Sequence, residues 1–169
     1  ADGNKILVTA DLGQQLPKEW VGKAWFQLEL FPAILFGKSW NMDNQTGFFP
    51  TDSYGPLAGA DLEPYAEGKV LAVAPETETQ RMTIKSLKGS LQLVDGRIDG
   101  KAGWFFVRSA IPPDQTKSVI EWEIEVVPVK DYTYSPVIHI SQIGYLPDEP
   151  KKAVIESDKR TTSYGTIDI

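Results

Sequence analysis

The chain contains no cysteine, which excludes disulfides, thiolate metal sites and a cysteine nucleophile. No apolar run approaches the roughly 20 residues that a membrane-spanning helix needs. The sequence does not begin with a secretory signal pattern. A secreted protein whose sequence begins at its mature boundary would also lack one. Because many secreted bacterial proteins use no cysteine, its absence leaves the compartment open.

Clustered positive charge is also missing. The formal net charge is −6, and Lys and Arg residues are scattered, with no run longer than Lys151-Lys152. Nucleic acids and anionic membranes are bound through clustered cations, so we expect neither as a partner. Hydrophobic residues make up 41% of the chain, which is enough to build a core, and the aromatic-rich, acidic balance suits an uncharged ligand.

Gly and Pro are abundant, and they recur between short apolar runs. This spacing is typical of an all-β protein and predicts about eight strands, packed as a two-sheet antiparallel β-sandwich of jelly-roll-like form. Residues 37–68 are expected to be mostly loop, residues 15–21 to hold one helical turn, and Asp95-Gly96 and Asp99-Gly100 to form tight turns. The predicted strands are 5–10, 23–31 with an apolar continuation over 33–36 after a bend at Pro32, 69–74, 81–87, 90–94, 103–109 and 119–127.

A boundary is expected between Pro128 and Pro136, where the last strand of the sandwich ends. The sequence therefore predicts a sandwich domain over 1–134 and a separate segment over 135–169. The second segment is too short for an immunoglobulin-like domain of about 100 residues. We expect it to form either a loose tail or one or two strands docked on the sandwich.

The second segment carries the most specific motif of the chain, an apolar strand start followed by Ser141-Gln142-Ile143-Gly144-Tyr145-Leu146-Pro147 and then Pro150-Lys151 and Ala153-Val154-Ile155. It resembles the opening of the immunoglobulin-like module that precedes the catalytic domain in family-nine glycoside hydrolases, the cellulase-type enzymes. That family usually has Asn where this chain has Ser141 and Val where it has Ile143.

This resemblance implies a modular, secreted bacterial enzyme that degrades plant cell walls, with its catalytic domain beyond Ile169. Residues 1–134 precede the immunoglobulin-like start, where such enzymes often carry a carbohydrate-binding module. These modules are typically β-sandwiches. The segment 135–169 would then be the first part of a truncated immunoglobulin-like module.

Two tryptophans lie on strands whose alternation indicates their direction. Trp122 shares a strand face with Ile120 and Ile124, opposite three glutamates, and is expected in the core. Trp25 is the reverse case, because Gln27 and Glu29 share its face while the opposite face is apolar. An outward indole can stack on the apolar face of a sugar ring while neighbouring amides and carboxylates bind its hydroxyls. The alternative is that Trp25 lies under a loop.

The other aromatic candidates leave both readings open. Trp104 and Arg108 share a strand face that either binds sugar or is partly covered. Trp40 and Tyr54 are expected in loops, either as ligand platforms or, for Trp40, as an anchor that plugs the end of the sandwich. Trp20 is expected to pin a helical turn to the core.

The sequence gives little support for a catalytic site. The single histidine, His139, falls in a strand and is expected to be structural, and no nucleophile elbow or phosphate-binding glycine loop occurs. Glu121, Glu123 and Glu125 alternate on one strand face and are expected to be solvated. No cofactor is expected; structural calcium is possible in such sandwiches, but no dense set of oxygen ligands indicates it.

The sequence thus favours a monomeric, non-catalytic, extracellular module that binds a β-glucan such as cellulose, mixed-linkage glucan or xyloglucan. The expected binding residues are Trp25, Gln27, Glu29, Trp40, Tyr54, Trp104 and Arg108. Two alternatives stay open. One is a structural module that braces the neighbouring domains of the parent enzyme without binding glycan, and the other is a small lyase or hydrolase.

Overall fold

A computed structural model describes residues 4–52, 54–56, 62–97, 103–128, 136–141, 144–148 and 150–157. The chain divides into two compact units, residues 1–128 and residues 129–169. In the described part of the first unit there are ten strands and two short 3-10 turns, Lys18–Trp20 and Pro32–Ile34. The strands are β1 (Lys5–Ala10), β2 (Trp25–Leu30), β3 (Ser39–Met42), β4 (Gln45–Phe48), β5 (Pro64–Gly68), β6 (Val70–Val73), β7 (Met82–Ser86), β8 (Leu91–Asp95), β9 (Phe105–Ala110) and β10 (Ile120–Val126).

These strands form two antiparallel sheets packed as a sandwich, which confirms the predicted fold class. The larger sheet has six strands in the order β1-β10-β7-β6-β3-β4, and the smaller has four in the order β2-β9-β8-β5. Because side chains alternate along a strand, each sheet buries one face against the other and presents one face outward.

The sandwich interior is built from the inward residues of both sheets. Trp122 is fully buried, as its alternation predicts, and Phe26 of the opposite sheet packs edge-on against it with ring centroids 5.0 Å apart. The indole Nε1 of Trp122 donates to Ser109 Oγ at 3.1 Å, and Ser109 Oγ donates to the carbonyl of Ser90 at 2.6 Å. The buried indole therefore finds its hydrogen-bond partner on the other sheet.

The segment 37–68 corrects the sequence prediction, because it contributes three strands, β3, β4 and β5, instead of a mostly irregular loop. β3 and β4 form a tight hairpin in which Asp43 has a φ of 51°. The carboxylate of Asp43 accepts hydrogen bonds from the backbone amides of Lys69 and Val70, at 2.7 and 3.0 Å. This tie holds the hairpin against β6.

Two smaller predictions also need correction. Trp20 lies on the expected helical turn, but it is 56% exposed and so does not pin that turn into the core. Asp95 ends strand β8 and is buried in an ion pair, so it is more than a turn residue. The turn predicted at Asp99-Gly100 lies outside the described residues.

The second unit contains a short antiparallel hairpin of β11 (Val137–His139) and β12 (Val154–Glu156), where His139 Nε2 lies 3.0 Å from Glu156 Oε2. Gly144 has a φ of +85°, a conformation that favours glycine. The Tyr145 hydroxyl bonds the Lys152 carbonyl, and Lys151 Nζ donates to the carbonyls of Leu146 and Pro147, each at 2.7 Å. The motif positions at Gly144, Tyr145 and Lys151 thus stabilise a local turn; Gln142 and Ile143 lie outside the described residues.

Candidate functional site

The outward face of the four-stranded sheet collects most of the polar and aromatic candidates. Along β2 the outward positions are Trp25, Gln27 and Glu29, and Gln27 and Glu29 are exposed. In the β2–β9 register, Gln27 lies opposite Arg108 and Trp25 lies opposite Ala110. We call this surface the four-stranded outer face.

One row of polar side chains crosses all four strands of this face. Gln27 of β2 pairs with Arg108 of β9, Arg108 pairs with Gln92 of β8, and Gln92 pairs with Glu67 of β5. We call these four residues the polar row. The sequence reading found Gln27 and Arg108 but missed Gln92 and Glu67. The polar position of Gln92 between Leu91 and Leu93 was the available signal for the former.

Hydrogen bonds link three residues of the polar row, Arg108, Gln92 and Glu67. Arg108 Nε donates to Gln92 Oε1 at 3.0 Å, and Gln92 Nε2 donates to Glu67 Oε2 at 2.9 Å. Ser90 Oγ donates to the other oxygen of Glu67 at 2.6 Å. These hydrogen bonds from Ser90 and Gln92 lower the pKa of the Glu67 carboxyl, so it is ionised at neutral pH. At the other end of the row, Gln27 Nε2 donates to Glu29 Oε1 at 3.3 Å.

Aromatic rings flank the guanidinium of Arg108. Its Cζ lies 4.0 Å from the centroid of the Trp25 ring and 5.7 Å from that of Phe106. Trp25 is therefore partly buried, with one ring face covered by the cation, which is more cover than a bare platform would have. Burial lowers the pKa of Arg108, although an arginine remains charged at any physiological pH.

A second aromatic group lies at the opposite end of the same face. Trp104 directly precedes β9 and is 40% exposed, and its ring centroid is 5.1 Å from that of Phe31, which is 51% exposed. Phe31 follows β2 and has the same alternation as Trp25, Gln27 and Glu29. Phe31 comes six positions after Trp25, which corresponds to roughly 20 Å along an extended strand. The face thus has an aromatic group at each end and polar groups between.

Trp40 is not part of this face. The expectation that it lies in a loop is wrong, and of the two readings left open for it the structure excludes the exposed platform. It lies on β3, is only 7% exposed, and its ring stacks on that of Tyr65 with centroids 6.4 Å apart and planes 7° apart. Gly47 lies opposite on β4, where an added Cβ would come within 2.3 Å of the indole. Glycine at that position therefore makes the space that lets the indole turn inward.

Tyr54 lies in a loop and is 70% exposed. The loop is held at the end of β8, because Arg97 Nη1 donates to the carbonyl of Asp52 at 2.6 Å. Gly55 packs so closely on the backbone of Arg97 that a Cβ would overlap its carbonyl oxygen. The Gly96 amide donates to the Trp104 carbonyl at 3.0 Å, so the Tyr54 loop is tied to the end of the sheet that also carries Trp104.

A buried ion pair fixes that end of the sheet. Arg97 is 3% exposed and its Nη2 donates to Asp95 Oδ2 at 2.8 Å, while the Tyr65 hydroxyl donates to the same oxygen at 2.8 Å. Burial raises the pKa of the Asp95 carboxyl, but the hydrogen bonds from Arg97 and Tyr65 outweigh it and lower the pKa below its usual value. Asp95 is therefore ionised at neutral pH and serves to hold Arg97.

Among the described residues, no three His, Asp or Glu side chains come together as a group that could hold a metal ion. Within the same residues no helix has the length and apolar character needed to cross a bilayer. No protein-family model, curated protein or solved structure matches the chain.

Proposed function

We propose that the chain binds a neutral β-glucan, without catalysing its cleavage, on the four-stranded outer face. One observation carries the proposal: the sheet register brings Gln27, Glu29 and Arg108 onto one outward face, with Trp25 at one end and the Phe31–Trp104 pair at the other. Sugar rings offer apolar C–H faces to aromatic rings and hydroxyls to amides and charged groups. This face presents both kinds of partner.

The spacing of these groups suits an extended ligand. Between Trp25 and the Phe31–Trp104 pair, the exposed side chains of Gln27 and Glu29 offer hydrogen-bonding groups along about 20 Å of β2. A polysaccharide chain lying along the strand would meet an aromatic ring at each end and polar groups in the middle. Internal segments of a soluble chain would fit this surface.

The resemblance of the 141–155 segment to a family-nine module supports a role in targeting. In this proposal the sandwich holds an appended extracellular glycoside hydrolase on plant cell wall. Each aromatic contact contributes on the order of 1–3 kcal/mol before ordering costs, so binding in the micromolar to millimolar range is expected. Weak binding of this kind suffices because tethering raises the local enzyme concentration on the substrate.

Affinity electrophoresis in gels that contain mixed-linkage glucan, xyloglucan or hydroxyethylcellulose tests the proposal. We expect the wild-type chain to be retarded by at least one of them, and Trp25→Ala combined with Trp104→Ala to lose roughly 10-fold or more in affinity. Trp20→Ala is the matched control, because it removes an exposed indole that lies on a 3-10 turn outside the sheets. Unchanged mobility of the folded wild type in every gel would refute the proposal.

A second function, bracing of a neighbouring domain, is favoured by the exposed apolar side chains of Phe31, Ile34 and Phe48, of which Phe48 is 74% exposed. Contiguous exposed apolar patches often mark protein interfaces. A bracing module would bind no glucan, and its removal would lower the melting temperature of the domain that it contacts. Thermal unfolding of the parent enzyme with and without residues 1–134 separates the two functions.

A further inference from the structure

Arg108 lies in the middle of the four-stranded outer face, and the residues that the structure describes leave two of its three guanidinium nitrogens without a hydrogen-bond partner. Its Nε bonds Gln92, and its guanidinium lies between the rings of Trp25 and Phe106. Among the described residues, Nη1 and Nη2 donate no hydrogen bond, and no carboxylate forms an ion pair with Arg108. A partly buried guanidinium normally finds such partners, so these two nitrogens are available to a ligand.

The carboxylates that share this face are engaged by neutral donors. Glu29 accepts from Gln27, and Glu67 accepts from Ser90 and Gln92. Within the part of the chain that the structure describes, Arg108 therefore has no counter-charge, although two carboxylates lie on the same sheet face. An anionic ligand would gain Arg108 but would approach both carboxylates, on a chain whose net charge is −6.

Glu67 sets the orientation of the Arg108 guanidinium through Gln92. Because the carboxylate of Glu67 can only accept, the Gln92 amide must turn its nitrogen toward Glu67 and its oxygen toward Arg108. The bond from Arg108 Nε to that oxygen, with the two flanking rings, fixes the plane of the guanidinium. Its two terminal nitrogens then form a fixed pair of donors.

We infer that Arg108 determines the specificity of this face, donating through Nη1 and Nη2 to adjacent hydroxyl oxygens of an uncharged glycan. Gln92 and Glu67 are positioning residues that act through Arg108. The inference rests on the proposed function and adds to it the donor pair and the preference for neutral over acidic polysaccharides.

The test measures the affinity of the full chain for mixed-linkage glucan, hydroxyethylcellulose and polygalacturonate. We expect Arg108→Ala to weaken glucan binding roughly 10- to 100-fold and Arg108→Lys nearly as much, because lysine keeps the charge but loses the paired donors. Gln92→Leu should weaken it roughly 3- to 10-fold and add little once Arg108 is already alanine. Arg81→Ala, which removes an exposed arginine on the other sheet's side, should bind like the wild type.

The outcomes separate the inference from the proposed function. Additive losses for Gln92→Leu and Arg108→Ala, or full glucan affinity in folded Arg108→Ala, would overturn the inference and leave glucan binding intact. Tighter binding to polygalacturonate than to either glucan would also overturn it. No retention of the folded wild type by either of these glucans or by xyloglucan would overturn the proposed function, and the inference with it. Thermal unfolding of each variant identifies those that fail to fold. If Arg108→Ala fails to fold, the glucan affinity of Arg108→Lys tests the inference in its place.

Discussion

The two sheets of the sandwich use charge in opposite ways. The six-stranded sheet pairs its charges on the outward surface, where Lys5 Nζ lies 3.0 Å from Glu123 Oε1 and Lys88 Nζ lies 3.1 Å from Glu121 Oε1. The four-stranded sheet buries its ion pair at one end, between Arg97 and Asp95, and leaves the outward guanidinium of Arg108 unpaired within the described residues. Charges that pair with each other in water leave few hydrogen-bonding groups for a ligand. An unpaired cation between aromatic rings keeps its donors for one.

In the proposed function, the six-stranded sheet serves structure alone and the four-stranded sheet also serves recognition. The glutamates of β10 and the lysines that face them form a solvated surface, as the alternation of Glu121, Glu123 and Glu125 predicts. The buried Arg97–Asp95 pair holds the end of the sheet next to Trp104, and its guanidinium also packs 4.4 Å from the centroid of the Phe105 ring. We therefore expect the same class of interaction, a Lys or Arg beside a carboxylate, to differ in stability contribution by several-fold between the two sheets.

The largest expected effect is at the buried pair. Arg97→Met keeps an apolar stem against Phe105 but leaves the Asp95 carboxylate buried without its cation, which should lower the free energy of unfolding by about 3–5 kcal/mol. Chemical denaturation at neutral pH measures this. Lys5→Met, which breaks a surface pair, is the control and should change the free energy of unfolding by less than about 1 kcal/mol. Equal effects of the two substitutions would remove the distinction between the sheets.

The effect of Arg97→Met should depend on pH. In the wild type the folded-state pKa of Asp95 is lowered from the usual 3.8, so its contribution is complete above that value and is lost as the pH falls through the folded-state pKa. Without Arg97, burial raises the pKa of Asp95, and protonation at low pH relieves the buried charge. The stability difference between variant and wild type should therefore shrink toward about 1–3 kcal/mol at pH 3. A gap that stays constant from pH 7 to pH 3 would show that the lost packing, and not the charge, causes the effect.

The sequence predicts local alternation well and long-range register poorly. The directions of Trp122, Gln27 and Glu29 followed from single strands, because each strand has a clear apolar and a clear polar face. The connection of Arg108 to Glu67 through Gln92 depends instead on the strand order β2-β9-β8-β5, which brings together residues far apart in the chain. No local pattern in one sequence encodes that order.

Trp40 shows a second reason for failure. Its strand has four residues, Ser39–Met42, and a pattern of that length is too short to distinguish from a polar loop. The space that accepts the indole is made by Gly47, which lies in the partner strand and reads in sequence as one more loop glycine. The burial of Trp40 thus depends on a cross-strand pair that becomes visible only when the hairpin register is known.

The smallest expected effect tests the other half of the comparison. In a double-mutant cycle of Lys5→Ala and Glu123→Ala, the coupling energy between the two side chains should be about 0.2–1 kcal/mol and should decrease in high salt, because both are partly exposed to solvent. The same two substitutions should leave glucan affinity unchanged, since they lie on the outward face of the six-stranded sheet. A coupling energy as large as the effect of Arg97→Met would mean that the six-stranded sheet also relies on its ion pairs. A loss of glucan affinity in either variant would mean that the ligand binds the six-stranded sheet and not the four-stranded outer face.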